Sequence, residues 1–209
     1  MIINHIFYIN LMKLLAFTDL HCNKAALNEI KNKAINEKPD LIVCCGDLSN
    51  FTSGLNEIAK FLNSLNIKIL IIPGNHETNI DINEICGKYN NLINIHLASY
   101  EIDNYLFFGF GTGGFSSREE KLERAMKEFK KTFDKNKKLI FVTHAPIYNT
   151  KLDELWDEHR GCISSRKFIE EFEPILTLCG HFHENEKKKD KIKNCTIVNP
   201  GKNGMIIKV

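Results

Sequence analysis

Five apolar runs along this chain each end in a short polar motif drawn from the same few residue types. The motifs are Asp19-Leu20-His21, Gly46-Asp47, Gly74-Asn75-His76-Glu77, Thr143-His144-Ala145-Pro146 and Gly180-His181-Phe182-His183. The runs before them, residues 14–18, 41–45, 68–72, 139–142 and 175–179, are short and almost unbroken. Such runs read as strands buried on both faces, the pattern of parallel sheets covered by other layers. Asp19, Asp47 and Asn75 recur at intervals of 28 residues. That is the length of a strand, a helix and two short loops, so three successive βα units bring three polar tips to one sheet edge.

The intervening stretches agree. Asn23 is a helix cap, followed by Ala26, Leu27, Ile30 and Ala34 on one face to about residue 36, with Pro39 ending the unit. Residues 55–65 carry Ile58, Phe61, Leu62 and Leu65 at helical spacing. The second half is richer in strands, expected at 92–95, 100–102, 105–110, 196–198 and 205–209. A charged helix is expected over 118–133, with Leu122, Ala125, Met126 and Phe129 as its apolar stripe. The Lys-rich patch 187–193 reads as a solvated hairpin. The expectation is an α/β fold of two facing sheets with helices outside. At 209 residues the chain fits one domain spanning 1–209, with residues 1–11 as an N-terminal extension.

Composition narrows the partners. The net charge of +2 gives no ground for a nucleic-acid or membrane partner, and no stretch is long and apolar enough to span a bilayer. The seven cysteines are odd in number and form no CxxC pair, and Cys44, Cys45 and Cys179 sit inside apolar runs. A reduced, cytoplasmic protein is expected. Nothing in the composition sets an oligomeric state.

The motif residues are nitrogen and oxygen donors suited to divalent transition metals. Asp19 and His21 stand two residues apart, as do His181 and His183, so each pair can reach one ion. Gly46 lets the backbone turn tightly before Asp47, whose carboxylate can bridge two cations. Asn75 offers a neutral carbonyl oxygen, and His144 an imidazole. Seven side chains suit two metals when one Asp is shared. Two carboxylates leave net positive charge to acidify a water and hold an anionic substrate. His5, His96 and His159 stand outside the motifs. His5 and His96 read as surface or core histidines, His159 as a substrate contact, and Arg118 as a helix-surface charge.

Together, D-x-H, G-D, G-N-H-E, H and G-H-x-H resemble the calcineurin-like metallophosphoesterase superfamily, over about residues 13–209. The resemblance implies a sandwich of two mixed β-sheets flanked by α-helices. It implies a dinuclear centre of Mn, Fe, Zn, Ni or Co that hydrolyses phosphodiesters or phosphomonoesters by in-line attack of a metal-bridging hydroxide. Carried over by motif, Asp19, His21, Asp47 and His183 hold the first metal, and Asp47, Asn75, His144 and His181 the second. His76 is the catalytic residue, protonating the leaving group or stabilising its charge. Many members carry a second Asp in Gly-Asp-x-x-Asp that orients this histidine. Here Asn50 stands there, expected to accept a hydrogen bond from His76. The expected partner is a small phosphoester, and the short intervals between Asn75, His144 and His181 leave no room for a large cap. Two alternatives stay open: a DNA nuclease of the same superfamily, and a non-catalytic protein-binding scaffold on the same fold.

Overall fold

The structure is a computed structural model and describes residues 11–209. Of the expected extension only Leu11 is described, and His5 lies outside the described residues. The chain begins with β1 (Lys13–Phe17), α1 (Lys24–Glu37), β2 (Leu41–Cys44), α2 (Leu55–Asn63), β3 (Ile69–Ile71), α3 (Asn79–Lys88) and β4 (Leu92–Asn94). It continues with β5 (Ser99–Ile102), β6 (Tyr105–Phe110), α4 (Glu120–Thr132), β7 (Lys138–Thr143), β8 (Glu154–Leu155), β9 (Glu158–His159) and α5 (Ile163–Phe172). β10 (Leu176–Leu178), a 3-10 turn at His183–Asn185, β11 (Lys189–Ile192), β12 (Cys195–Val198) and β13 (Met205–Lys208) complete it.

One sheet has the order β13-β1-β2-β3-β4, parallel except for β13 at its edge. The other has the order β11-β12-β10-β7-β6-β5, with antiparallel pairs only at its two edges. β8 and β9 form a separate small hairpin.

Strand alternation sorts the side chains into three cores. Leu14, Ala16, Leu41, Val43, Leu70 and Ile72 meet Phe107, Ile140, Val142, Leu176 and Leu178 between the two sheets. The alternate residues Leu15, Phe17, Ile42, Cys44, Ile69 and Ile71 face outward onto α1, α2 and α3. On the opposite side Phe108, Leu139 and Phe141 pack against Leu122, Met126 and Phe129 of α4 and Phe168 of α5. Because both faces of each central strand are covered, those strands carry no polar alternation.

Register positions the site. Phe17 pairs with Cys44 and Cys44 with Ile71, so the strands ahead of Asp19, Asp47 and Asn75 end level. In the second sheet Val142 pairs with Leu178, which levels the tips carrying His144 and His181.

Asn23 caps α1, accepting from the Ala26 amide at 3.0 Å as expected. The charged helix starts at Glu120, after the Gly/Ser stretch, and the Lys-rich patch is the β11–β12 hairpin. Two helices have no counterpart in the sequence pattern. α3 buries only Ile82 and Ile85, too sparse a stripe to stand out, although Thr78 and Asp81 form a capping box at its start. α5 begins at Cys162 without a side-chain cap bond, so no polar residue marks its entry.

Candidate metal centre

The five motifs meet where the carboxyl ends of the two sheets face each other. Asp19, His21 and His183 bring donor atoms within 4.8 Å of one another, and so do Asp47, His144 and His181. Asn75 joins the second group, its Oδ1 lying 3.0 Å from His144 Nε2. His21 Nε2 and His183 Nε2 are 3.3 Å apart. All seven residues expected as ligands therefore converge.

Asp47 stands between the groups. Its Oδ1 accepts the His76 amide at 2.9 Å. Its Oδ2 lies 3.6 Å from His21 Nε2, 3.5 Å from His144 Nε2 and 4.0 Å from His76 Nε2. Asp19 Oδ2 accepts the His181 amide at 2.9 Å, and its Oδ1 faces His183 Nε2 at 3.6 Å.

Several of these residues sit in a costly backbone region. Asp19, His21, Asp47 and His181 all have positive φ, at 52°, 45°, 53° and 71°. Each such non-glycine residue costs on the order of 1 kcal/mol, and such residues gather at functional sites. The i, i+2 pairing of Asp19 with His21 thus works through left-handed turns rather than through strand alternation. Gly46 has φ of 101°, as the tight turn before Asp47 requires. Gly74 lies so close that a Cβ there would meet the backbone nitrogen of Asp47 at 2.5 Å.

Do these residues fit divalent cations? Asp19 and Asp47 are each only 2% exposed, and among the described residues no Lys or Arg pairs with either. Buried carboxylates without a cationic partner are expensive. His144 presents Nδ1 to the Cys45 carbonyl at 2.8 Å, so Nδ1 carries the proton and Nε2 a lone pair. That lone pair points at Asn75 Oδ1, acceptor toward acceptor. Asp19 Oδ1 and His181 Nε2 are buried without hydrogen-bond partners. Unpartnered acceptors converging on one place fit cations that accept their lone pairs.

Protonation follows from the surroundings. Burial alone would raise the Asp19 carboxyl, but the neighbouring His183, His144 and Thr18 hold it at about 2. Burial pushes His181 down to about 4, which keeps the imidazole neutral. The Asp19 carboxylate, 3.6 Å away, raises His183 above its ordinary 6.5. Burial raises Glu77 although its Oε1 accepts both the amide and the hydroxyl of Ser49.

His76 lies at the rim. Its ring stacks on Phe51 at 4.1 Å and meets His21 edge-on at 4.5 Å. Asn50 corrects one expectation: its Oδ1 lies 3.2 Å from His21 Nδ1 and its amide donates to the His21 carbonyl at 3.4 Å. It therefore steadies His21, and His76 Nδ1 is left buried without a hydrogen-bond partner. His159 stands apart in β9, its Nδ1 2.7 Å from Asp153 Oδ1. His96 accepts the Gly111 amide and stacks on Phe110, a structural role. Phe51 and Phe115 cover His76 and His181, and sequence reasoning misses both, because a lone Phe in a polar loop carries no periodic signal.

All seven cysteines are free, and no helix among the described residues is long and apolar enough to cross a membrane. The sequence pattern of the calcineurin-like phosphoesterase family matches residues 12–185. An uncharacterised protein of Methanocaldococcus jannaschii is 35% identical over 201 residues, covering 90% of this chain and 88% of that protein. Among solved structures, the fold is similar to TT1561 of Thermus thermophilus, with TM-score 0.73, 18% identity, and 91% and 89% of the two chains covered. It is also similar to a dimetal phosphatase from Danio rerio, with TM-score 0.63, 9% identity, and 90% and 86% covered. The match to the family across most of the chain, on a fold with two mixed sheets and converging Asp and His donors, places this protein in the calcineurin-like phosphoesterase family as a metal-dependent hydrolase of phosphoric esters.

Proposed function

We propose that the chain acts as a single metallophosphoesterase domain that hydrolyses a small phosphoester at a dinuclear centre. The observation that carries this reading is Asp47: a buried carboxylate with one oxygen turned toward imidazoles of both donor groups and, among the described residues, no Lys or Arg paired with it. Asp19, His21, Asp47 and His183 would hold one divalent ion, and Asp47, Asn75, His144 and His181 the other. The nitrogen and oxygen donor set admits Mn, Fe, Zn, Ni or Co. When bound, such ions acidify a water to near neutral pH and draw charge from the phosphoryl oxygens.

The chain's own residues supply the remainder. Asp47 holds the His76 backbone through its amide, and Phe51 covers one face of the imidazole. His76 Nε2 is the ring atom turned toward the centre. Protonated there, it gives its proton to the departing ester oxygen. Asn50 keeps His21 oriented, and the Cys45 carbonyl fixes the His144 tautomer. β12 and β13, which lie beyond the residues of the family match, supply strands to both sheets and support the reading of one domain.

The test is metal content and turnover of Asp47→Asn beside the wild type. Two metals per chain are expected in the wild type, and loss of both metals and of phosphoester turnover in the variant. A variant that keeps two metals and normal turnover would refute the shared role of Asp47.

A further inference from the structure

A cleft of about 360 Å³ opens beside the candidate centre. Its walls are Phe115, Tyr148, Trp156 and Phe182, with His159 and Arg160 on its polar side. It adjoins the centre directly. The Phe115 ring meets the His181 ring edge-on at 4.6 Å, and the Phe182 ring lies 5.2 Å from it. Two of these rings stand in water, Phe115 at 84% exposure and Trp156 at 81%. Each forgoes the gain that burial of a large apolar side chain brings, roughly 1.5–3 kcal/mol. Exposed rings gathered around one cleft mark a surface that a ligand covers.

The polar side is built rather than incidental. Asp153 is fully buried and accepts the amides of Asn149, Thr150 and Gly161 at 3.0, 2.9 and 2.9 Å. Its remaining bond is to His159 Nδ1 at 2.7 Å. That bond fixes the imidazole and leaves Nε2 as the atom His159 can offer the cleft. Arg160 is tied to Glu158 at 2.6 Å and lies 5.4 Å from the Trp156 ring centroid. It braces the ring by a cation–π contact and is paired at the surface with Glu158. The cleft thus offers flat apolar faces and few polar atoms. Its one cation, Arg160, is already paired with Glu158, and a flexible polar alcohol would find few partners. A planar, uncharged ring is matched on its faces by the aromatic walls and on its edge by His159.

We propose that this cleft binds the base of a nucleoside phosphoester: the base stacks on Phe115 and Trp156 while the phosphate occupies the neighbouring centre. The inference rests on the phosphoesterase reading of that centre and adds the substrate class. The volume is at the small end for ligand pockets, so one nucleoside fits and an oligonucleotide does not.

Trp156 is the only tryptophan in the sequence, so its fluorescence reports on the cleft without any turnover. Metal-free protein is titrated with adenosine and, separately, with ribose. A saturable change with adenosine and none with ribose is expected. Phe115→Ala should weaken adenosine binding roughly ten-fold, the effect of losing one stacking face, and Phe115→Leu should weaken it as well. Phe115 is exposed, so neither change touches a core. With metal restored, the wild type should favour a nucleoside phosphodiester over a glycerol phosphodiester in kcat/KM, and the ratio should fall toward one in Phe115→Ala. Unchanged Trp156 fluorescence with adenosine, equal binding by the variant, or a ratio near one in the wild type would overturn the proposal. Adenosine binding with no phosphoester turnover would sink the phosphoesterase reading and leave the cleft assignment standing. Turnover without adenosine binding would do the reverse.

Discussion

His183 and His181 share one motif and differ in protonation. His183 is half-exposed and faces the Asp19 carboxylate at 3.6 Å, which raises it above 6.5, whereas burial holds His181 at about 4. A metal must displace the His183 proton but meets no proton on His181. Metal retention at the proposed site should therefore fall as pH drops through the raised His183 value, and His183→Ala should flatten that dependence; metal content after equilibration at each pH checks it. In the metal-free protein Asp19 and His183 act on stability with opposite limits. The Asp19 contribution is present above its ordinary 3.8 and is lost as pH falls toward about 2. The His183 contribution is full below 6.5 and is lost as pH rises through its raised value. His76 makes a different prediction. Outside the proposed ligand set, His76→Gln should keep the metals yet lose about 10²–10⁴-fold in rate, the range for a positioned acid. The loss should shrink for substrates with good leaving groups, and equal losses across leaving groups would leave only an electrostatic role.

Among the elements, α3 follows His76 and Glu77 directly, so its start sits against the centre. Thr78 opens it with a capping box: Asp81 Oδ2 accepts the Thr78 amide at 2.8 Å, and the Asp81 amide donates to Thr78 Oγ1 at 3.3 Å. Removing a cap costs about 1 kcal/mol. Thr78→Ala should lower the unfolding free energy, read from urea titration, by that amount and leave the rate of the folded protein within about two-fold. The rate is spared because His76 is anchored from the other side, through Asp47 at its amide and Ser49 on Glu77. A large loss of rate at unchanged stability would show that the cap itself sets the His76 position. The Lys-rich β11 is an edge strand of the second sheet, where charged side chains blunt strand-to-strand association.

At the scale of the molecule, the donors come from both sheets. Asp19, Asp47 and Asn75 follow strands of the first, and His144, His181 and His183 follow strands of the second. Cations held there would tie the two sheets across their common edge. Ligands that bind only the folded state stabilise it, by about 2.7 kcal/mol per site at a hundred times Kd. Chelation should lower Tm, restored metal should raise it again, and Asp47→Asn should show little of this response. Calorimetry of stripped and reloaded protein is the measurement. A Tm indifferent to metal in the wild type would mean that the donors do not hold ions across the sheets.

Sequence alone determined the parts that follow from local order. Unbroken apolar runs specify doubly covered strands, the 28-residue spacing specifies parallel crossovers, and the motif residues specify the donor chemistry. Those features need no knowledge of distant contacts. Tertiary structure decided what depends on them. Asn50 meets His21 instead of His76, a contact between two loops 29 residues apart that fold against each other. α5 forms because Phe168 finds Phe141 at 4.1 Å across the outer core, although its first turn has no side-chain cap. The aromatic cleft is assembled from stretches around Phe115, Tyr148, Trp156 and Phe182, which no sequence window contains together. A pocket is a property of surfaces brought together by folding, and side-chain spacing along one stretch of chain cannot encode it.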